Sequence, residues 1–350
     1  MNLRKRRPAQ RSTTDITPVE LPSVSAHQNR STHGPIDVSI LIVTWNSAHW
    51  IASCLEALEG ASGSRTTEVI VFDNASSDSS FSLASSAGNA RLRAILSERN
   101  RGFAGGVNCA RRESVGRYLL LLNPDCELDA GSIESLAAYL DLHEEVAAAV
   151  PLLRGEDGTP QREFQFRRLP TLGSTLAEVL LLDKIFPSNR TSASYRYREL
   201  DLTQVQQIEQ PAAAAMMIRR EVAETVGDLD EQFAPAWFED VDFCMRLRNQ
   251  GGTIHLVPSA SGVHRTGSSL QYLEYGLFIE IWYLNLFRYA RKWFSSGRVE
   301  VLRWAIIVGM ALRIAVTVLG AGSGTVKRNT GIKSYCNVMK KAFSRWNDPS

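Results

Sequence analysis

Residues 38–46, with the sequence VSILIVTWN, begin the pattern that decides the fold, an apolar run that ends in a polar residue. Similar runs follow at 69–72, 92–96 and 118–122, and the segments between them have helical patterns. A run that is apolar throughout is typical of a parallel strand covered on both faces by helices. The first half is therefore predicted to be an α/β unit whose ligand site lies at the carboxyl ends of the strands.

The second half of the chain has a mixed pattern. Residues 161–166 and 213–218 are predicted strands, residues 171–208 a partly helical insertion, and residues 239–250 a helix that Gly251 closes. A glycine directly after a helix is a common stop signal. We expect this half to complete the same sheet as the first half.

Three regions follow from these patterns. Residues 1–36 are predicted to be a disordered basic arm, because polar and basic residues dominate them. The folded domain is expected to have a nucleotide-binding half, 37–150, and a mixed acceptor half, 151–271. Residues 272–350 are expected to form a helical, aromatic and basic C-terminal region.

Charge is distributed unevenly along the chain, although the formal net charge is only +2. Residues 1–36 carry six Lys or Arg against two acids, and residues 285–350 carry twelve against two, so residues 37–284 have a net charge of −12. This pattern argues against nucleic acid as the main partner and favours basic ends that meet an anionic membrane surface. The five cysteines show no metal-binding spacing.

Residues 301–321 approach the length of a membrane-spanning helix, but they contain Arg303 and Arg313. With Met310 and Thr317, these arginines fall in one narrow arc of a helix, and the rest of its circumference is apolar. We expect a helix that lies in the membrane interface. A helix buried against the folded domain is the main alternative, and a membrane span is a weaker one.

Polar residues follow the first two predicted strands. Asn46-Ser47 could cap a helix that has Ile51, Leu55 and Leu58 on one face. Asp73, directly after the second strand, could accept a hydrogen bond from a nucleotide base or ribose. Alternatively, Asp73 and Asp78 could organise a turn and cap the next helix. Both interpretations stay open from the residues alone.

Two more polar groups follow the third and fourth strands. The loop 100–108 has three glycines, so its backbone can approach a bulky ligand closely, although such loops are common. Asn123-Pro124-Asp125 ends the most apolar strand, and Asp125 is a plausible ligand for Mg²⁺ or Mn²⁺. The alternative is an ordinary turn.

Acidic residues open the helix predicted at 239–250. Glu239, Asp240 and Asp242 are favoured there by the helix dipole, but three acids in four positions exceed what capping needs. A carboxylate held rigidly at a helix start can act as a general base. His264 follows the last strand and is a candidate metal ligand, although a lone histidine is more often structural.

Taken together, these segments resemble family 2 glycosyltransferases of the GT-A fold, and in particular their rhamnosyltransferase-like branch. The matching segments, in the family's order, are IVTWN (42–46), DNASSD (73–78), NRGFAGGVN (100–108), LLNPD (121–125), FEDVDFCMR (238–246) and HRTGSS (264–269). Each segment is weak alone, but six in order make a specific signal.

The resemblance implies roles for individual residues. The residues implied on the donor side, facing the nucleotide or the donor pocket, are Thr44, Asn46, Asp73, Asn74, Asn100, Gly102, Asn108 and Asp125. Asp125 and His264 would bind a divalent metal, Mg²⁺ or Mn²⁺. Asp240 would be the catalytic base, with Trp237 and Glu239 on the acceptor side.

Two positions depart from the family's pattern. Asn123 stands where the family's metal-binding DxD motif has its first acid, as in the rhamnosyltransferase-like branch. Residues 212–215 are four alanines where relatives often have a Gly-Ala step, so a methyl group could narrow the acceptor pocket.

The resemblance implies an inverting transferase that moves a sugar, with dTDP-L-rhamnose as the favoured donor, to a lipid-linked or cell-envelope glycan. It would lie peripherally on the cytoplasmic face of the bacterial inner membrane. The alternatives are a UDP- or GDP-sugar donor and a catalytically inactive, sugar-nucleotide-binding or scaffold relative. A nicotinamide-dependent oxidoreductase is disfavoured because no GxGxxG motif follows the first strand.

Overall fold

The apolar run that opens the domain forms the first strand in the chain, and this strand lies third from one edge of a mixed sheet. The computed structural model describes residues 35–186, 189–265, 274–319 and 328–346, so the predicted arm lies almost wholly outside the described residues. The strands are β1 (Val38–Thr44), β2 (Thr67–Asp73), β3 (Leu92–Leu96), β4 (Tyr118–Leu122), β5 (Cys126–Leu128), β6 (Val146–Arg154), β7 (Phe166–Arg167), β8 (Gln206–Ile208), β9 (Gln210–Pro211), β10 (Ala215–Arg219) and β11 (Thr253–His264).

Helices cover the sheet and form the C-terminal region. They are α1 (Ile51–Ser62), α2 (Ser80–Ser85), α3 (Gly102–Arg112), α4 (Ser132–Leu142), α5 (Arg162–Gln165), α6 (Leu172–Val179), α7 (Leu182–Ile185), α8 (Arg190–Tyr195), α9 (Arg220–Val226), α10 (Glu239–Asn249), α11 (Tyr275–Trp293), α12 (Ser296–Val318) and α13 (Arg328–Phe343). A short 3-10 turn, Glu231–Phe233, precedes α10.

The main sheet, as far as the structure describes it, has the order β3–β2–β1–β4–β10–β6–β11–β5, with β8 paired to β11. Strands β1 to β4 are parallel, whereas β10 runs antiparallel between β4 and β6. Alternate residues of β1 enter two separate cores: Leu41 and Val43 one, Ile40 and Ile42 the other. The apolar runs therefore mark strands buried on both faces, as predicted.

Several local predictions are wrong. Residues 161–166 are not a strand, because the buried Gln165 side chain accepts from Leu153 N (2.9 Å) and donates to Pro151 O (2.6 Å), which turns the segment into α5. The predicted helix with Ile51 and Leu58 is present as α1, but Asn46-Ser47 does not cap it, since the N-cap residue is Trp50. The predicted domain boundary at 271/272 falls among residues 266–273, outside the described residues.

The C-terminal helices share a third core with α6. Among the described residues α12 is one helix with the length and composition of a membrane span, and 39% of its most apolar window is buried inside the protein. The predicted polar arc turns inward: Arg303 is buried beside Glu300, and Arg313 donates to Val179 O. The large apolar side chains that α12 and the next residue expose are Val301, Trp304, Val308, Leu312, Val316, Val318 and Leu319.

Candidate active site

The carboxyl ends of β1 and β2 are joined by a buried hydrogen bond. Thr44 Oγ1 donates to Asp73 Oδ2 at 2.9 Å, and Ser76 N donates to Asp73 Oδ1 at 2.8 Å. Neither Thr44 nor Asp73 exposes measurable surface. In this structure Asp73 thus organises its own turn, which was the alternative interpretation, and its contact with a nucleotide stays a prediction.

The loops that follow β1 and β2 are fastened to each other. Asn46, in the left-handed region with φ of 51°, accepts from Ser77 N at 2.8 Å. Asp78 accepts from Ala48 N and Ser80 N, both at 3.0 Å. These bonds fix the rim of the sheet where the sequence predicts the nucleotide.

The predicted glycine loop 100–108 is wrong from Gly102 onward, because α3 begins at that residue and includes all three glycines. Asn74 holds the start of this helix. The Asn74 amide donates to Gly102 O at 2.9 Å and accepts from Arg101 N at 3.0 Å, while Asn100 Oδ1 accepts from Gly102 N at 2.7 Å. Gly102 has φ of +73°, and a Cβ there would lie 2.8 Å from Pro235 O. Glycine is therefore required where the predicted donor loop meets the segment before α10.

Asn108 lies on α3, and its amide is used inside the protein. Its Nδ2 donates to Leu229 O and its Oδ1 accepts from Leu229 N, each at 2.9 Å. The residue is 1% exposed. The side chain therefore ties α3 to the chain before Glu231, and the structure gives it no open face toward a ligand.

The structure brings Asp125 and His264 together. Strand β5 pairs antiparallel with β11, and His264 is the register partner of Cys126. This pairing places Asp125 Oδ1 3.4 Å from His264 Nε2, with the two residues 4% and 3% exposed. The two predicted metal ligands are thus neighbours, although 138 other residues separate them in the sequence.

Gln161 fixes which nitrogen of His264 carries the proton. The Gln161 amide donates through Nε2 to His264 O at 2.7 Å, so its Oε1 faces His264 Nδ1 at 3.0 Å as an acceptor. In the Nδ1–H tautomer that this contact favours, the Nε2 lone pair would face the carboxylate. Two electron-rich atoms that face each other suit a shared cation.

A divalent ion fits this pair if the substrate completes its coordination. Among the described residues, no three His, Cys, Asp or Glu side chains converge to form a metal site. Hard ions such as Mg²⁺ commonly take only one or two protein ligands together with substrate phosphates. Asp125 and His264 are the residues that would hold the ion, which makes a separate protein cage unnecessary.

The predicted acceptor side is built on an unusual turn. Trp237 and Phe238 both have positive φ, 73° and 76°, and α10 begins at the next residue. This turn aims Asp240 at β9 and the residues that follow it, where Gln210 Nε2 lies 3.5 Å and Ala213 N 3.4 Å from Asp240 Oδ2. The other oxygen, Oδ1, accepts from Val241 N at 2.8 Å. Oδ2 is therefore the less firmly held oxygen and the one better placed to accept a proton.

Glu239 and Asp240 form a coupled pair of carboxyl groups. Burial, and after it the negative charge of Asp240, raise the pKa of Glu239 to about 8. Burial also raises the pKa of Asp240. Glu239 Oε2 is buried with no hydrogen-bond partner among the described residues. Near neutral pH, Glu239 therefore holds a proton, which removes a negative charge beside Asp240.

Two polar side chains connect α10 and the turn before it to α11, and one of them, Asn285, was not predicted. The Asn285 amide nitrogen lies 2.7, 2.9 and 3.2 Å from the carbonyl oxygens of Phe233, Ala236 and Trp237. Asn285 exposes no surface. Its only sequence signal is a single amide inside the aromatic run IWYLNLF.

Asp242 forms the second connection, from α10 itself. Its fully buried carboxylate accepts from Trp293 Nε1 at 2.9 Å and Arg246 Nε at 2.9 Å, and lies 2.8 Å from Lys292 Nζ. The third acid of the predicted group is therefore structural. Together with Asn285, it makes α11 part of the support for the candidate base.

Comparison with known proteins identifies the family. The sequence profile described as Glycosyl transferase family 2 matches residues 39–227, just over half of the chain. An N-acetylglucosaminyl-diphospho-decaprenol L-rhamnosyltransferase of Mycobacterium tuberculosis is 26% identical over 243 residues, 66% of this chain and 76% of the relative. The succinoglycan biosynthesis protein ExoO of Rhizobium meliloti is 33% identical over 89 residues, 25% of each chain.

Solved structures with a similar fold include two glycosyltransferases. A structure of GalNAc-T7 with UDP, GalNAc and Mn²⁺ has a TM-score of 0.55 and 14% identity, covering 89% of this chain and 56% of the other. The mannosyltransferase PcManGT from Pyrobaculum calidifontis, with GDP-Man and Mn²⁺, has a TM-score of 0.50 and 15% identity over 91% and 89% of the chains. At this identity the likeness concerns the fold, and it confirms the predicted GT-A class. The chain is a rhamnosyltransferase-like glycosyltransferase that belongs to glycosyl transferase family 2.

Proposed function

We propose that the protein transfers a sugar, with inversion, from a nucleotide-sugar to a hydroxyl group of a lipid-linked or cell-envelope glycan. dTDP-L-rhamnose is the favoured donor, because the relative from Mycobacterium tuberculosis is named as an L-rhamnosyltransferase. Its name also gives N-acetylglucosaminyl-diphospho-decaprenol as an acceptor, so the same acceptor class is proposed here. The observation that carries the proposal is the position of Asp240 at the start of α10, beside the buried Glu239 and with Oδ2 turned toward Gln210 and Ala213.

The proposed reaction is a single displacement. Asp240 takes the proton of the acceptor hydroxyl, whose oxygen forms a bond to the anomeric carbon of the donor. The bond from that carbon to the diphosphate oxygen breaks, and the diphosphate leaves with the electron pair. One base on the face opposite the leaving group gives inversion. A divalent metal held by Asp125 and His264 would stabilise negative charge on the diphosphate.

The exposed apolar face of α12 supports a peripheral position on the cytoplasmic membrane. Its side chains would enter the lipid interface, while the inward-facing Arg303 and Arg313 keep the helix on the protein. Basic residues at both ends of the chain would add attraction to anionic lipids. An acceptor held by its lipid would then reach Asp240 from the membrane side.

The first test is nucleoside diphosphate release from dTDP-, UDP- and GDP-sugars. Each donor is tested with Mg²⁺, Mn²⁺ or chelator, with and without a polyprenyl-diphosphate-linked sugar. We expect release from dTDP-L-rhamnose that depends on both the metal and the acceptor. Release from a UDP- or GDP-sugar instead would change the donor. Donor binding without release in every arm would favour the inactive relative.

A further inference from the structure

The insertion helix α6 packs against the C-terminal helix α12. Gly309 of α12 packs so closely on α6 that an added Cβ would lie 2.3 Å from Val179 O. One turn later, Arg313 donates from Nη1 to Val179 O at 2.5 Å and from Nη2 to Glu178 O at 3.3 Å. The helix with the exposed apolar face therefore brings a guanidinium to the insertion.

A second guanidinium lies on the same side of the protein as Asp240. Arg167 of β7 is the register partner of Gln210 of β9. Directly opposed residues of an antiparallel pair project from the same face. Since Gln210 Nε2 lies 3.5 Å from Asp240 Oδ2, this face is the one that looks toward the candidate base.

Neither guanidinium has an ion-pair partner in the part of the chain that the structure describes. Arg167 donates from Nη1 to Phe166 O at 3.1 Å and lies 6.0 Å from the centre of the Tyr195 ring. Arg313 contacts carbonyl oxygens only and lies 6.0 Å from the Tyr283 ring. By contrast, the neighbouring Arg196 is paired with Asp183 at 2.8 Å.

Burial makes the absence of a partner costly for Arg167. Desolvation lowers the pKa of Arg167, whose charge remains because a guanidinium is hardly ever deprotonated. Burial also raises the pKa of Glu178, whose charge acts on Arg167 and Arg313 without forming an ion pair with either in the described residues. A partly buried cation without a direct ion pair is unfavourable, and an anion from outside would reduce this penalty.

We propose that Arg167 and Arg313 bind the diphosphate that joins the acceptor sugar to its lipid. The inference rests on the proposed function, since it places the sugar hydroxyl at Asp240. The diphosphate is then one sugar away, at Arg167, and the lipid continues past Arg313 along the exposed face of α12. Guanidinium groups bind phosphate through paired N–H donors, which suits this role.

Binding of farnesyl diphosphate to the full chain tests the site without any transfer reaction. Arg167→Gln should weaken binding at least tenfold, and Arg167→Lys should weaken it less. Arg168→Gln is the matched control, because Arg168 is the next residue and is paired with Glu199 at 2.9 Å. Farnesol, which lacks the diphosphate, should bind weakly and equally to all four proteins.

A second test of the diphosphate site compares the transfer kinetics of two acceptors, one with a diphosphate and one without. Arg167→Gln should raise KM at least tenfold for a polyprenyl-diphosphate-linked N-acetylglucosamine and leave KM for an alkyl N-acetylglucosaminide unchanged. An equal change for both acceptors, or unchanged farnesyl diphosphate affinity, overturns the proposal. Loss of binding to phosphatidylglycerol vesicles with unchanged farnesyl diphosphate affinity would assign the arginines to lipid headgroups and also overturn it. Diphosphate binding that depends on Arg167, without transfer from any donor, would support the site and refute the proposed function.

Discussion

At the residue scale, chemistry at the site depends on how two adjacent carboxyl groups share one proton. Glu239 is the more buried, and burial raises its pKa to about 8, whereas the proposed base is Asp240. The residue types at 239 and 240 are readable from the sequence, but the division of roles depends on burial, which the sequence does not display.

Replacing the base should remove turnover without removing the donor. Asp240→Asn keeps the shape of the side chain and cannot take a proton, so kcat should fall by about 10² to 10⁴. Donor affinity, measured by calorimetry, should stay near that of the wild type. Asp201→Asn, an exposed carboxylate that bonds only within its own turn, is the control. Turnover retained by Asp240→Asn would exclude this residue as the base.

The proton on Glu239 should make the free energy of unfolding depend on pH. Its folded pKa is about 8 against an ordinary 4.5, so the folded protein binds a proton that the unfolded chain has lost in this window. The free energy of unfolding should therefore fall as pH rises from 4.5 to 8. Glu239→Gln should reduce the loss between pH 5 and 8 by at least about 1 kcal/mol, since one pKa unit is about 1.4 kcal/mol. Identical pH profiles of urea unfolding would contradict the assignment.

The role of Asp125 can be tested by donor binding. Asp125→Ala should weaken the affinity for the nucleotide-sugar at least tenfold when Mg²⁺ or Mn²⁺ is present. In chelator the variant and the wild type should bind equally, because only the metal-dependent part of the affinity is removed. An unchanged affinity with metal present would exclude Asp125 as a ligand.

At the scale of elements, sequence patterns predicted the strands more reliably than they predicted the contacts between elements. Strands β3 and β4 match their predicted bounds because apolar runs bounded by turns are a local signal. The proton position of His264 depends on Gln161, 103 residues away, and no local pattern reveals such a pair. The same is true of α12, whose period identifies a polar arc without showing that it faces the protein.

The exposed face of α12 should control membrane binding. Trp304 and Leu312 are 52% and 40% exposed, so replacing both with Gln removes apolar surface without opening the core. Binding to anionic vesicles should fall at least about tenfold, since a buried large apolar side chain contributes about 1.5–3 kcal/mol. The melting temperature should not change. Leu142→Gln, 81% exposed on another helix, should leave binding unaffected.

At the scale of the whole molecule, the C-terminal region has two parts to play: it exposes an apolar face on α12, and it supports the turn before α10. Helices α12 and α13 share a core with α11 and α6, and α11 carries Asn285. Sequence composition predicted that this region is helical, aromatic and basic. It did not predict that the region holds the turn before α10, because that contact joins residues 48 to 52 positions apart.

Removal of residues 297–350 should therefore have two effects. The truncated protein should no longer float with liposomes in a density gradient, which separates membrane binding from aggregation. Its melting temperature and turnover should also fall, because the apolar face of α11 is uncovered. Flotation equal to that of the full chain would exclude the C-terminal region as the membrane contact.

The hydrogen bonds of Asn285 and Asp242 join residues before position 271 to residues after position 272. They therefore restrict where hybrids of related enzymes can be joined. A crossover at that position would pair α10 of one parent with α11 of another and break both contacts. A crossover before the 3-10 turn would transfer that turn, α10 and the C-terminal helices together from one parent. Hybrids of the second kind should inherit their acceptor preference and membrane behaviour together.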